Sequence, residues 1–179
     1  EEDFAVLDGA STTLPWLCVC VPSHWAPEEK VGHPFAAVHA PVADNQALIA
    51  AGRQLVQLVT RGERFERFVW TITPSDRFDQ HPQRQPRMPW PAAADPEAFA
   101  QACTLRAERQ TFFPVPGVPG QAVFTIRVML QPLAAAVRTP GDAMRLHDAL
   151  ASMSDTVLAY KSLTAARDRL LAWLSTRTA

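Results

Sequence analysis

CTLRAERQTFFPVPGVPGQAVFTIRVMLQ, residues 103–131, sets two strand-length stretches on either side of PVPGVPG. Proline and glycine favour a reversal there, and the β-branched and aromatic flanks suit a pleated surface. The segment therefore predicts paired strands over 103–114 and 121–131. Working upstream, Glu66, Phe68, Trp70 and Ile72 alternate with Phe65, Arg67, Val69 and Thr71, the period of a third strand. Near the start, DFAVLD at 3–8 and the continuous apolar run LPWLCVCV at 14–21, ended by Pro22, predict a first hairpin. In a strand, Cys18 and Cys20 would share one face with Trp16 and read as small core residues.

Between the hairpin and the third strand, residues 22–42, PSHWAPEEKVGHPFAAVHAPV, carry four prolines. These forbid a long element and allow single helical turns, giving a packed connector. Asp44 then offers an N-cap to a helix with Ala47, Leu48, Ala51, Leu55 and Leu58 on its apolar face and Gly62 as its stop. Residues 74–101 hold prolines at 74, 82, 86, 89, 91 and 96, so they read as a long loop, of the kind that covers a site or meets a partner. Thr139-Pro140-Gly141-Asp142 reads as a helix start, with a hydroxyl cap, proline at the first position and an acid at the third. Helices follow over 140–152 and 155–175, interrupted near Ser162 to Thr164.

The order of elements is two strands, an irregular connector with a helix, three strands, then helices. This is an α+β chain in the PAS-like arrangement: a five-stranded antiparallel sheet with a helical connector, and a cofactor commonly held between layers. At 179 residues, with 47% hydrophobic and 20% charged residues, one domain spanning the chain can bury a sufficient core.

Composition also limits function. The net charge of -1 and scattered basic residues give no field to draw in nucleic acid. No apolar run reaches the roughly 20 residues needed to span a bilayer, and no secretory signal opens the chain, so the expected location is cytoplasmic. Glu1 in place of Met leads us to expect a chain that begins inside a longer product or after trimming. Three cysteines without a secretory signal predict reduced thiols. The rival of a zinc site at Cys18, Cys20, His33 and His39 matches no common ligand spacing. Ser23 and His24 are adjacent and no G-x-S-x-G elbow exists, which removes the usual hydrolase reading. G-x-G-x-x-G and P-loop motifs are absent as well, so electrons for any redox chemistry must come from a partner.

Two features invite chemistry. His39 in AAVHAPV is an imidazole in apolar company, suited either to a core hydrogen bond with backbone or to facing a bound macrocycle. In the strand LRAERQTFF, Arg106, Glu108 and Gln110 share a face and Arg109 takes the other. An arginine among apolar neighbours wants an anion, supplied either by a ligand carboxylate or by an internal pair with Glu108 or a connector acid.

PSHWAPEEKVG, HAPV, RFVWTI, LRAERQT, AVFTIRVMLQPL and LAYKSL, in this order from about Glu2 to Leu163, resemble the haem-dependent oxidative N-demethylase alpha-subunit family. The resemblance implies a PAS-like fold that holds haem b through a histidine. It further implies a monooxygenase that oxidises a small secondary amine with O2 to a primary amine and formaldehyde, drawing electrons from flavin and iron–sulfur partner proteins. Within it His39 is the expected axial ligand of the iron, and Arg106, Arg109 and Lys30 are candidates for propionate or substrate-side contacts. The chain departs from the family pattern at Val69, where Asn is usual, at Val128-Met129, where Thr-Tyr is usual, and at Ser162, where Gly is usual. The first two departures delete hydrogen-bonding groups, and with them a non-catalytic haem-binding sensor or divergent homologue becomes the alternative function.

Overall fold

A computed structural model describes residues 2–178. Strands β1 (Asp3–Asp8) and β2 (Trp16–Cys18) precede a single 3-10 turn, Pro27–Glu29, and helices α1 (Phe35–His39), α2 (Gln46–Ala50) and α3 (Gly52–Arg61). Strand β3 (Phe65–Thr73), α4 (Pro96–Gln101), β4 (Thr104–Pro114) and β5 (Gln121–Pro132) follow, then α5 (Leu133–Ala136), α6 (Pro140–Ala151), α7 (Asp155–Tyr160) and α8 (Arg167–Ser175). The strands form one five-stranded antiparallel sheet in the order β2-β1-β5-β4-β3, an α+β architecture. The paired strands expected from residues 103–131 are β4 and β5, and Gly117 and Gly120 of their connection take φ of 77° and 80°, open to glycine at no steric cost.

The chain divides into two compact units, and β3, β4 and β5 each contribute residues to both. The first comprises Glu1–Val69, Phe78–Arg87 and Glu108–Met129, the second Trp70–Arg77, Met88–Ala107 and Leu130–Ala179. In the first, Leu7, Val56, Val59 and Ala122 are buried, with Leu14, Phe35 and Phe112 packed around them. In the second, Ile72, Phe99, Leu133, Leu150, Leu170 and Trp173 belong to a larger apolar cluster. Burial of that kind, and not intrinsic propensity, stabilises short helices such as α4 and α7.

Several expectations need correction. LPWLCVCV is a strand only over Trp16–Cys18, at the edge of the sheet, and Cys18 and Cys20 are exposed, not core. Beyond Cys18 the Asp3 carboxylate, from the neighbouring strand, accepts the amides of Cys20 (2.8 Å) and Val21 (3.1 Å) in place of ladder partners. The helix expected from Asp44 is two helices broken at Ala51, and Asp44 caps neither, lying at φ 52°. The inward face of α3 is Gly52, Val56, Val59 and Thr60, while Leu58 is exposed. Gly52 is required here, because a Cβ would fall 2.8 Å from Cδ1 of Phe35.

The proline-rich stretch 74–101 is not all loop. Asp95 accepts the Ala98 amide (2.7 Å) and Pro96 opens α4, the same cap-and-proline start that marks α6. At α6 the expected capping box is present, Thr139 and Asp142 satisfying each other's amides.

Ser162 ends α7 at φ 58°. Its amide donates to Ala159 and the Leu163 amide to Leu158 (2.8 Å), a Schellman closure that calls for a left-handed residue. A serine there costs about 1 kcal/mol through its Cβ, partly offset by the lower entropy of its unfolded chain. Ser162→Gly is therefore expected to raise stability by about 0.5 kcal/mol, read as a higher denaturation midpoint at unchanged slope.

Candidate functional site

The first unit gathers the connector's polar residues against the sheet. Pro34 precedes α1, and the four-residue spacing of Phe35 and His39 stacks their rings, centroids 4.0 Å apart and planes 28° from parallel. His39 Nδ1 lies 2.8 Å from the Phe35 carbonyl, which can only accept, so Nδ1 carries the proton and Nε2 keeps its lone pair. Asn45 holds the end of this turn by donating to the carbonyls of His39 (3.0 Å) and Ala40 (2.9 Å). Lys30 reaches the Val38 carbonyl with its Nζ at 3.4 Å.

From β3, Arg67 donates through Nε to Gln110 (2.8 Å) and lies over the Phe112 ring, 5.6 Å from its centre. Phe112 stacks on Phe124 of β5 at 4.4 Å. One face of β4 thus runs Glu108, Gln110, Phe112, and Glu108 accepts both the Ser23 hydroxyl and the Gln110 amide. The result is a connected polar strip, Ser23 to Glu108 to Gln110 to Arg67, ending on stacked aromatic rings.

Burial first, and then the positive charges of Arg67 and Lys30, hold His39 below its ordinary pKa, with the Phe35 carbonyl opposing them. The imidazole is therefore neutral at pH 7. Protein crowding likewise lowers the pKa of Arg67 against the pull of Glu108, although the residue itself is exposed.

This shift has a measurable consequence. The folded protein takes the His39 proton less readily than the unfolded chain, so the contribution is fully present above the unfolded value of 6.5 and is lost as pH falls below it toward the lower folded value. Melting temperature should decline from about pH 6.5 downward, and His39→Gln should flatten that part of the profile; an unchanged profile would remove His39 as its source.

The four residues singled out from sequence separate. His39 and Lys30 lie together in the connector. Arg109 points from the other face of β4 and pairs with Glu2 at 2.6 Å, with Glu66 at 3.9 Å. Arg106 belongs to the second unit, is 1% exposed, and donates to the Arg77 carbonyl at 3.2 Å. Sequence reading missed Arg67, although it lies in RFVWTI on the face opposite Trp70.

Part of the proline-rich stretch, Phe78–Arg87, lies against this connector. Gln80 exchanges backbone hydrogen bonds with Pro22 and His24, and His81, 3% exposed, meets Glu28 through Nε2 at 3.1 Å. Its Nδ1 accepts the Gln83 amide, which fixes the tautomer with the proton on Nε2. Among the described residues, no helix is long and apolar enough to cross a membrane.

His39 meets the requirements of an axial ligand: a neutral imidazole, one nitrogen tied to a carbonyl, the other left with its lone pair. Residues 1–171 of the 179 match a family described as haem-dependent oxidative N-demethylase, alpha subunit-like.

Proposed function

Because the chain belongs to the haem-dependent oxidative N-demethylase alpha subunit-like family, we propose that it holds haem b in a PAS-like domain and oxidises a small secondary amine in the cytoplasm. When bound, haem would supply the oxygen chemistry, in which the amine, O2, two electrons and two protons give a primary amine, formaldehyde and water. The electrons come from a flavin or iron–sulfur partner protein. The observation that carries this reading is the His39 imidazole fastened through Nδ1 to Phe35, which leaves Nε2 free of a proton and oriented by a short helix.

The chain's own residues have three tasks in this scheme. Phe35 fixes the His39 ring against rotation and places its proton on Nδ1, and Asn45 fixes the turn that carries it. Lys30 and Arg67, the two cations acting on His39, suit the carboxylates of a propionate-bearing macrocycle, Arg67 offering a planar fork. Phe112 and Phe124 give a flat apolar wall beside that fork. Arg109 takes such a carboxylate only by exchanging its partner Glu2.

Protein expressed with a haem supply should show a Soret band, and with a chemical reductant, O2 and dimethylamine should release formaldehyde. Absence of the band under haem supply would overturn the reading. A band without formaldehyde from any small secondary amine would favour the second reading, a non-catalytic haem sensor. That reading draws support from Val128, buried at 8% exposure in β5 where the family pattern has a hydroxyl, and from the apolar Val69 and Met129.

A further inference from the structure

We propose that Glu108 is the specificity-determining residue for the amine, binding it as a secondary ammonium ion through both carboxylate oxygens. The inference rests on the function proposed above and adds the group that selects the substrate. Dialkylamines, like the lysine amine with its ordinary pKa of about 10.4, are cations at neutral pH. A partly buried site for one needs an anion whose charge no neighbouring cation has already cancelled by contact.

In the polar strip of the first unit that anion is Glu108. Other carboxylates of the unit have their partners: Glu2 pairs with Arg109, Glu28 with His81 and Asp79 with Arg84, while Asp3 accepts the amides of Cys20 and Val21. Glu108 is half-buried on β4, and among the described residues its hydrogen-bonding partners are neutral. The Ser23 hydroxyl donates to Oε1 and the Gln110 amide to Oε2, the latter at 2.8 Å. Arg67 feels the Glu108 charge, yet its Nε is turned to the Gln110 oxygen at 2.8 Å. Gln110, 8% exposed, thus stands between cation and carboxylate, its oxygen toward Arg67 and its nitrogen toward Glu108.

The lone pairs decide which ammonium ion fits. An ionised carboxylate offers about four acceptor sites, two on each oxygen. Ser23 and Gln110 take one on each and leave one on each. A secondary ammonium ion carries two N–H donors and fills both; a tertiary ion fills one and a quaternary ion none. Ser23 and Gln110 are positioning residues, since they set which way the remaining lone pairs point. Charge agrees with this count. Lys30 and Arg67 balance the two carboxylates of the macrocycle, Glu108 is then one negative charge in excess, and a monocation restores neutrality.

The test measures, by calorimetry, the binding of dimethylammonium, trimethylammonium and tetramethylammonium chlorides to the full chain produced with a haem supply. The Soret band is recorded separately on the same protein. Wild type should bind dimethylammonium at least about tenfold more tightly than tetramethylammonium, with trimethylammonium between them. Glu108→Gln should lose at least about tenfold in dimethylammonium affinity, and the order among the three cations should collapse. Glu108→Asp, which keeps the charge, should recover part of the loss. No binding or equal affinities in wild type, or unchanged dimethylammonium binding in Glu108→Gln, overturns the assignment. Should Glu108→Gln fail to fold, the order of the three cations on wild type still decides. A missing Soret band overturns the haem reading instead, and the calorimetric order then judges Glu108 separately.

Discussion

Replacing His39 with alanine is expected to abolish the Soret band of protein produced with a haem supply, weakening haem retention by at least about 100-fold. The loss would be one of ligation and not of folding. His39 is half-buried on a helix of five residues, and its side chain touches the Phe35 ring and the Phe35 carbonyl; it belongs to neither apolar cluster. Circular dichroism of His39→Ala should therefore match wild type while haem is lost. His39→Gly supplied with free imidazole should recover the band, because the cavity left by the side chain admits the same ligand. A band unchanged in position and occupancy would transfer the ligand role to His33 or His24, both in the same connector. Asn45→Ala provides a graded companion: it removes two bonds to the carbonyls that end α1 and should lower haem affinity less than loss of the ligand itself.

His39 was legible in sequence because its apolar setting is local, and Phe35 four residues before it is local too. Arg67 was not legible, since what gives it meaning is Gln110, 43 residues further on, and a ring from a different strand. The same division runs through the fold. Thr139 to Asp142 carry their capping partners within four residues, so α6 reads directly. Asp95-Pro96 follow identical rules, yet six prolines in the surrounding stretch outweighed them. Periodicity put Cys18 and Cys20 on one face but carried no information on which strand lies at an edge, and edge position decided their exposure. The break at Ala51 likewise follows a tertiary contact, the Phe35 ring against Gly52, that no helical pattern contains.

The largest effect on stability is expected at Trp173. This indole is 1% exposed within the apolar cluster of the second unit, on a face of α8 that also buries Leu170 and Leu174. Its Nε1 donates to Glu97 at 2.7 Å, and Arg177 closes the arrangement, its guanidinium 4.9 Å from the ring centre and both Glu97 oxygens within 2.9 Å of Nη2. Hydrogen bonding from Arg177, then from Trp173, keeps the Glu97 carboxylate below its ordinary pKa. Glu97 is itself well solvated, so the polar part of this arrangement is worth little and the buried ring area dominates. Trp173→Ala should then cost about 3–5 kcal/mol, a fall in melting temperature of about 6–20 °C for a chain of this size. Trp173→Phe keeps one aromatic ring but removes the N–H and the rest of the indole, and should cost about 1–3 kcal/mol. Equal losses in the two variants would mean that the groups a phenyl ring lacks, and not aromatic packing in general, hold α8 against α4.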